Sequence, residues 1–100
     1  MVRFPVKRFF AYFPTVLKDS TVNALCAAVA HALRKERLRQ KLSMNALAQR
    51  GGLSQQMVSY VERGMRNPTL DTLFRISVAL GIDLPTLIER AVKAAQRGKI

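Results

Sequence analysis

Residues 42–70 read LSMNALAQRGGLSQQMVSYVERGMRNPTL, and this stretch contains the signals that decide the fold. Ser43 and Ser54 each precede a short run with apolar residues at helical spacing, as the N-cap residues of helices do. Only Gly51, Gly52 and Leu53 stand between the two runs, and Gly52 can adopt the positive φ that a tight helix end requires. The stretch therefore predicts two short helices joined by a very short turn.

The second of these helices is polar along one side. Met57, Val58 and Val61 are expected to face the core, and the opposite face carries Gln55, Gln56, Ser59 and Arg63. Glutamine can pair with the N6 and N7 edge of adenine, serine can hydrogen-bond to any base, and arginine can bind guanine or a phosphate. A polar face seen alone is more often simply solvated, but its place directly after a helix and a tight turn favours base reading.

Helix signals continue on both sides of this unit. Before it, Thr21 is expected to cap a helix that runs to about Gln40, with an apolar face of Leu25, Val29, Leu33 and Leu38. After it, Thr69 is expected to cap a fourth helix that ends at Gly81, with a buried stripe of Leu70, Leu73, Phe74, Ile76 and Leu80. The sequence thus predicts an all-α domain of five helices over residues 21–97.

The fifth helix, capped by Asp83, has the longest apolar stripe. Its members recur every three or four residues and are Leu84, Leu87, Ile88, Ala91, Val92 and Ala95. A stripe of this length exceeds what one side of a small core can use, so we predict that it forms a two-fold dimer interface.

Residues 1–20 differ in composition from the rest and are predicted to be a non-helical arm. They hold five of the seven aromatic residues of the chain: Phe4, Phe9, Phe10, Tyr12 and Phe13. Val2, Phe4 and Val6 alternate with more polar positions, which is the period of a strand, and Pro5 would confine such a strand to the edge of a sheet.

The composition fits one small basic domain. The chain has 100 residues, of which 49% are hydrophobic, and its 17 Lys and Arg against 6 Asp and Glu give a formal net charge of +11. Such a charge favours a polyanion as partner, and nucleic acid is favoured over a membrane surface because the basic residues are spread over several helices. One group of them stands near the end of the first helix and is expected to contact phosphates: Arg34, Lys35, Arg37, Arg39 and Lys41.

Catalytic and metal-binding sites are not expected. Cys26 and His31 are the single cysteine and the single histidine, so neither a disulfide within the chain nor a zinc site can be assembled. No nucleophile and base arrangement stands out, and Gly51 and Gly52 lack the Lys and Ser or Thr of a nucleotide-binding loop. We therefore expect a cytoplasmic protein that is not an enzyme and has no cofactor.

Residues 42–87 resemble the Cro and phage-repressor class of helix-turn-helix domain, the XRE family. The resemblance rests on Leu42-Ser43, Leu47-Ala48, Gly52-Leu53-Ser54, Val58-Ser59, Val61-Glu62-Arg63-Gly64, Arg66-Asn67-Pro68-Thr69-Leu70, Leu73 and Ala79-Leu80-Gly81. It implies that the third helix is the recognition helix, with Gln55, Gln56 and Ser59 at base edges. It also implies an inward ion pair between Glu62 and Arg37, and contacts to the DNA backbone from Arg66 and Asn67. Four other residues are expected to contact the DNA backbone as well: Lys41, Met44, Ser54 and Arg63.

Two positions depart from the family pattern. Met44 stands where many members have a glutamine that holds phosphate, so only its backbone N–H group is expected to bind an anion. Gly51 stands where the family has a leucine that closes the second helix against the core, and we expect the helix to end slightly earlier there.

The leading hypothesis is a sequence-specific regulator of transcription, a repressor, that binds double-stranded DNA as a dimer on an inverted repeat. The alternative is the antitoxin of a toxin-antitoxin pair, which would use the same DNA site and bind a protein partner through residues 1–20. A third hypothesis, a cationic membrane-surface or RNA-binding module, is disfavoured because the helical part has no aromatic platform for stacking bases.

Overall fold

The computed structural model describes residues 19–97, and these form five α-helices. They are α1 (Asp19–Arg39), α2 (Met44–Gly51), α3 (Gln55–Glu62), α4 (Leu70–Leu80) and α5 (Leu84–Gln96). The predicted all-α fold is confirmed, since residues 19–97 contain no strand. The expected arm and edge strand lie outside the described residues except for Asp19 and Ser20, which are helical and belong to α1.

The predicted N-caps are confirmed for four of the helices. The side-chain oxygens of Ser43, Ser54, Thr69 and Asp83 each accept the backbone N–H of the residue three positions later, at 3.0 to 3.1 Å. The expectation for Thr21 is wrong: Asp19 and Ser20 are already helical, so Thr21 lies inside α1 rather than at its cap.

Glycine ends two helices as predicted, at Gly52 after α2 and at Gly81 after α4, each in the left-handed conformation. The expectation that α2 ends before Gly51 is wrong, because Gly51 is a buried residue of the helix itself. A Cβ atom at Gly51 would lie 3.3 Å from the backbone oxygen of Arg75 on α4. Glycine therefore lets the last turn of α2 approach the backbone of α4.

The core lies where all five helices meet. Its most deeply buried large side chains are Leu33, Leu47, Val58, Val61, Ile76 and Leu87. Helices α1 and α5 pack along each other more extensively than any other pair. The stripe on α5 is consequently not exposed: Leu84, Leu87, Ala91 and Val92 are buried within the chain, and Ile88 and Ala95 are half-buried. The predicted exposure of this stripe, on which the dimer interface was placed, is wrong.

Three other apolar side chains expected in the core lie largely outside it: Leu38 on α1, and Leu70 and Phe74 on α4. The face of α4 that is buried is centred instead on Thr72, Ile76, Ser77 and Leu80. Thr72 and Ser77 can enter the core because the Thr72 hydroxyl pairs with the Thr69 hydroxyl and the Ser77 hydroxyl donates to the carbonyl of Phe74.

Candidate nucleic-acid interface

Helices α2 and α3 form a compact unit around the turn at Gly52. The φ of Gly52 is 67°, and the N–H of the following Leu53 donates to the carbonyl of Ala48 at 2.9 Å, which satisfies the end of α2. A Cβ atom at Gly52 would also approach the Arg75 guanidinium to 3.1 Å. This turn fixes the direction in which α3 leaves α2.

Helix α3 presents its polar face to solvent. Val58, Val61 and Glu62 are buried against the rest of the domain, whereas Gln55 and Gln56 are exposed and Ser59 is half-buried. The structure therefore places the three predicted base-reading residues on the outward side of one helix of two turns.

The residues predicted to contact the DNA backbone are placed in different ways. Lys41, Arg63 and Asn67 are exposed, and Lys41 has a φ of 58°, which is strained for a residue other than glycine. The Ser54 hydroxyl is occupied by the cap of α3, where it accepts the Met57 N–H. Met44 packs against the hydrophobic core, so its backbone N–H is the group that remains for an anion.

One further side chain, Tyr60, lies between two of the predicted DNA-contacting residues. The Gln56 amide Nε2 donates to the Tyr60 hydroxyl at 2.6 Å, and the Arg66 guanidinium lies 5.2 Å from the centroid of the Tyr60 ring. Tyr60 is not among the residues predicted from the sequence to contact DNA. Its spacing of four residues after Gln56 on a helix was the available signal.

Arg37 of α1 and Glu62 of α3 form a bidentate ion pair inside the domain. Arg37 Nε donates to Glu62 Oε2 at 2.7 Å and Nη2 donates to Oε1 at 2.9 Å, and the two side chains are only 7% and 2% exposed. Arg37 Nη1 also donates to the carbonyl of Leu42 at 2.8 Å. The hydrogen bond to Glu62 raises the pKa of Arg37 above its ordinary value. The pair joins α1, the start of the loop before α2, and the end of α3.

The basic run at the end of α1 is not one solvated face. Arg37 is buried with Glu62, and Arg39 pairs with Glu36 at 2.6 Å, while Arg34, Lys35 and Lys41 are exposed. The expectation that all five contact phosphate is therefore wrong for Arg37, whose guanidinium is occupied by protein groups.

Glu36 is a buried carboxylate that was not predicted from the sequence. It accepts hydrogen bonds from Arg39 and Gln40 on α1, and Arg90 of α5 lies 3.4 Å from its Oε1. The bonds from Arg39 and then Gln40 outweigh the effect of burial and lower its pKa from 4.5 to about 2. Gln40 also donates to the carbonyl of Leu80 at the end of α4. The signal in the sequence was an acidic residue three positions before an arginine and four before a glutamine.

Among residues 19–97, no three His, Cys, Asp or Glu side chains come together as a metal site would require. None of the helices described above combines the length and the hydropathy of a membrane span.

Residues 33–87 match the family described as helix-turn-helix. The chain is 41% identical over 59 residues to the HTH-type transcriptional regulator MT0491 of Mycobacterium tuberculosis, a match that covers 59% of this chain and 42% of that protein. It is 43% identical over 54 residues to the HTH-type transcriptional regulator y4dJ of Sinorhizobium fredii, which covers 52% of this chain and 70% of that one. The matched region spans about two fifths of the length of the mycobacterial relatives.

Two solved structures are similar over most of their own length. One is the restriction-modification controller protein C.AhdI of Aeromonas hydrophila, with a TM-score of 0.59 and 35% identity, covering 63% of this chain and 94% of that one. The other is a mutant form of the restriction-modification controller protein C.Esp1396I, with a TM-score of 0.69 and 26% identity, covering 73% of this chain and 95% of that one.

Proposed function

Because the chain belongs to the Cro/C1-type helix-turn-helix family of transcriptional regulators, we propose that it represses transcription by binding one specific sequence in double-stranded DNA as a homodimer. The observation that carries this proposal is the outward face of α3, where Gln55, Gln56 and Ser59 stand free of the core directly after the tight turn. Residues 21–97 are the DNA-binding domain, and the operator is an inverted repeat.

In this proposal, one group of residues reads the bases and another group binds the DNA backbone. Gln55, Gln56 and Ser59 read base edges in the major groove, where amide and hydroxyl groups match the donors and acceptors of the bases. The DNA backbone is held by the exposed side chains of Lys41, Arg63, Arg66 and Asn67, together with the backbone N–H groups at the helix starts near Met44 and Ser54.

Substitution of a base-reading residue and substitution of a phosphate-binding residue are expected to have different effects on DNA binding. Gln55→Ala or Gln56→Ala is expected to cost about 1 to 3 kcal/mol on the preferred operator and little on random DNA, because a base contact is lost only where the matching base is present. Arg66→Ala is expected to weaken binding to both DNAs alike and to reduce the salt slope by about one, because one fewer counterion is released. Titrations at several salt concentrations measure both quantities.

Gln96→Ala is the matched control, because Gln96 is an exposed glutamine on α5 rather than on α3. It should leave both affinities unchanged. If Gln55→Ala and Gln56→Ala weaken binding to random DNA as strongly as to the operator, α3 does not read bases and the proposal of a specific regulator fails.

The homodimer needs a surface other than the buried stripe of α5. Helix α4 supplies one, since Leu70, Phe74 and Val78 lie four residues apart on one side and are 64%, 50% and 77% exposed. Together they form one exposed apolar patch, and such patches often mark interaction sites. The exposed ion pair between Asp71 and Arg75, 2.8 Å apart, adds the charged rim that such surfaces have.

A second copy of the chain fits this surface by symmetry. Two α4 helices packed antiparallel about Phe74 would bring Leu70 of one protomer against Val78 of the partner subunit. A two-fold arrangement of the protein is also what an inverted repeat in DNA requires.

Val78→Glu is expected to convert the dimer to a monomer while leaving the melting temperature unchanged at low protein concentration, because Val78 is the most exposed of the three. Sedimentation velocity, with and without operator DNA, measures the assembly. Met65→Glu is the control, since Met65 is similarly exposed but does not lie on α4. A Val78→Glu variant that sediments as a dimer would reject this interface, and a parent protein that is monomeric on and off DNA would reject the dimer itself.

A further inference from the structure

Tyr60 contacts one proposed base-reading residue and one proposed phosphate-binding residue through different parts of its side chain. The hydroxyl accepts the Gln56 amide at 2.6 Å, and the ring lies under the Arg66 guanidinium at 5.2 Å. Gln56 and Arg66 are both exposed, whereas Tyr60 is half-buried. The half-buried aromatic side chain therefore stands between two long, exposed side chains.

The hydrogen bond has a direct consequence for how Gln56 can meet a base. A glutamine amide has two N–H donors and one carbonyl acceptor, and the Tyr60 hydroxyl uses one donor. The second donor and the carbonyl have no hydrogen-bond partner among the described residues. An amide N–H and a carbonyl are the two groups that bind N7 and the N6 amino group of adenine. Because the amide is already held, less rotamer freedom is lost when it binds a base.

The ring has the corresponding effect on Arg66. A guanidinium over an aromatic face is attracted by the electrons of the ring, and this interaction orders the side chain without using any of its N–H donors. All of those donors stay available for phosphate oxygens.

We propose that Tyr60 is a positioning residue that orders Gln56 for base reading through its hydroxyl and Arg66 for phosphate binding through its ring. This inference rests on the proposed function, because it assumes that Gln56 reads a base. It assigns to one side chain of α3 an influence on both specificity and general affinity.

The two parts of the side chain can be removed separately. Tyr60→Phe keeps the ring, so we expect about fivefold weaker binding to the operator, unchanged binding to random DNA and an unchanged salt slope. The preference should broaden at the same base pair that Gln56→Ala affects. Tyr60→Leu removes the ring as well, so binding to random DNA should also weaken, by about two- to fivefold.

A double-mutant cycle and a measurement on the free protein separate this role from a merely structural one. In a Gln56→Ala background, Tyr60→Phe should cause no further loss on the operator. In the free protein, Tyr60→Phe should lower the NMR order parameter of the Gln56 side-chain amide while the melting temperature stays the same. If Tyr60 had only a structural role, Tyr60→Phe would instead weaken binding to both DNAs and lower the melting temperature.

Failure of the inference is distinguishable from failure of the proposed function. If Gln56→Ala reduces affinity for the operator alone but Tyr60→Phe matches the parent on both DNAs, the role of Tyr60 is rejected and the function stands. An unchanged order parameter for the Gln56 amide in Tyr60→Phe would likewise reject it. If Gln56→Ala changes binding to the operator and to random DNA equally, the base-reading role that the inference assumes is itself rejected.

Discussion

Replacing Glu62 by alanine is expected to lower the free energy of unfolding by about 3 to 5 kcal/mol, because it leaves a buried charge without its partner. The group left without its partner is Arg37, whose side chain is 7% exposed and whose guanidinium donates two short hydrogen bonds to the Glu62 carboxylate. Its bond to the Leu42 carbonyl does not compensate a full charge. For a domain of this size, the loss corresponds to a fall of more than about 12 °C in the melting temperature.

Two comparisons test the cause of this effect. Asp71→Ala removes an exposed pair with Arg75 and should change stability by less than about 1 kcal/mol. Replacing both Arg37 and Glu62 by methionine should recover most of the stability, because no charge is then left buried. Chemical and thermal unfolding of the three variants measure the differences. A Glu62→Ala variant that melts with the parent would show that the pair does not stabilise the fold.

The helix ends could be predicted because their signals are local. Each of the caps at Ser43, Ser54, Thr69 and Asp83 is a hydrogen bond to a residue three positions away. The left-handed glycines Gly52 and Gly81 likewise depend on their own φ and on the turn before them. None of these features needs knowledge of the tertiary fold.

The faces of the longer helices could not be predicted with the same success. A hydrophobic period shows that a helix has an apolar side but not which residues form its centre. In α4 the centre is shifted towards Thr72 and Ser77, so Leu70 and Phe74 lie at the exposed margin. In α1 the buried face includes Glu36 and Arg37, which hydropathy alone assigns to solvent. The inward pair of Arg37 with Glu62, 25 residues away, was predicted only through the family resemblance.

In the candidate interface, too, features set by local sequence could be predicted, whereas features set by tertiary contacts could not. The outward position of Gln55 and Gln56 follows from the period of Val58 and Val61, which lie on the same short helix. The contacts of Tyr60 do not follow from any period, because they depend on the rotamers of exposed side chains and on where the loop carries Arg66. The roles of these residues on DNA remain predictions.

Glu36 is a buried carboxylate outside the Arg37–Glu62 pair, and its contacts connect three helices. Its carboxylate accepts bonds from Arg39 and Gln40 on α1 and faces Arg90 on α5, while Gln40 reaches the carbonyl of Leu80 at the end of α4. The helices so joined are the support against which α2 and α3 pack. Loss of the carboxylate charge should therefore weaken the whole domain rather than one local contact.

Glu36→Gln is expected to lower the free energy of unfolding by roughly 2 to 3 kcal/mol at pH 7, because hydrogen bonds to a charged group are replaced by weaker ones. The pH dependence follows from the pKa of Glu36, which is about 2 in the folded domain against an ordinary value of 4.5. The unfolded chain binds the proton more readily, so this contribution is complete above about pH 4.5 and is lost as the pH falls through 2. The difference between the two pKa values sets an upper limit of about 3 kcal/mol.

The measurement is urea unfolding of the parent and Glu36→Gln at pH 7, 4 and 2.5. The destabilisation caused by the substitution should be largest at pH 7 and should shrink steadily towards pH 2.5, because protonation of Glu36 in the unfolded parent increasingly favours unfolding. Repulsion among the many basic groups grows in acid in both proteins, so it cancels in the difference between them. Glu89→Gln on α5 is the matched control and should change stability by less than about 0.5 kcal/mol throughout, since Glu89 is in none of the ion pairs found among residues 21–97. A deficit for Glu36→Gln that stays constant from pH 7 to 2.5 would mean that its charge is not what holds α1, α4 and α5 together.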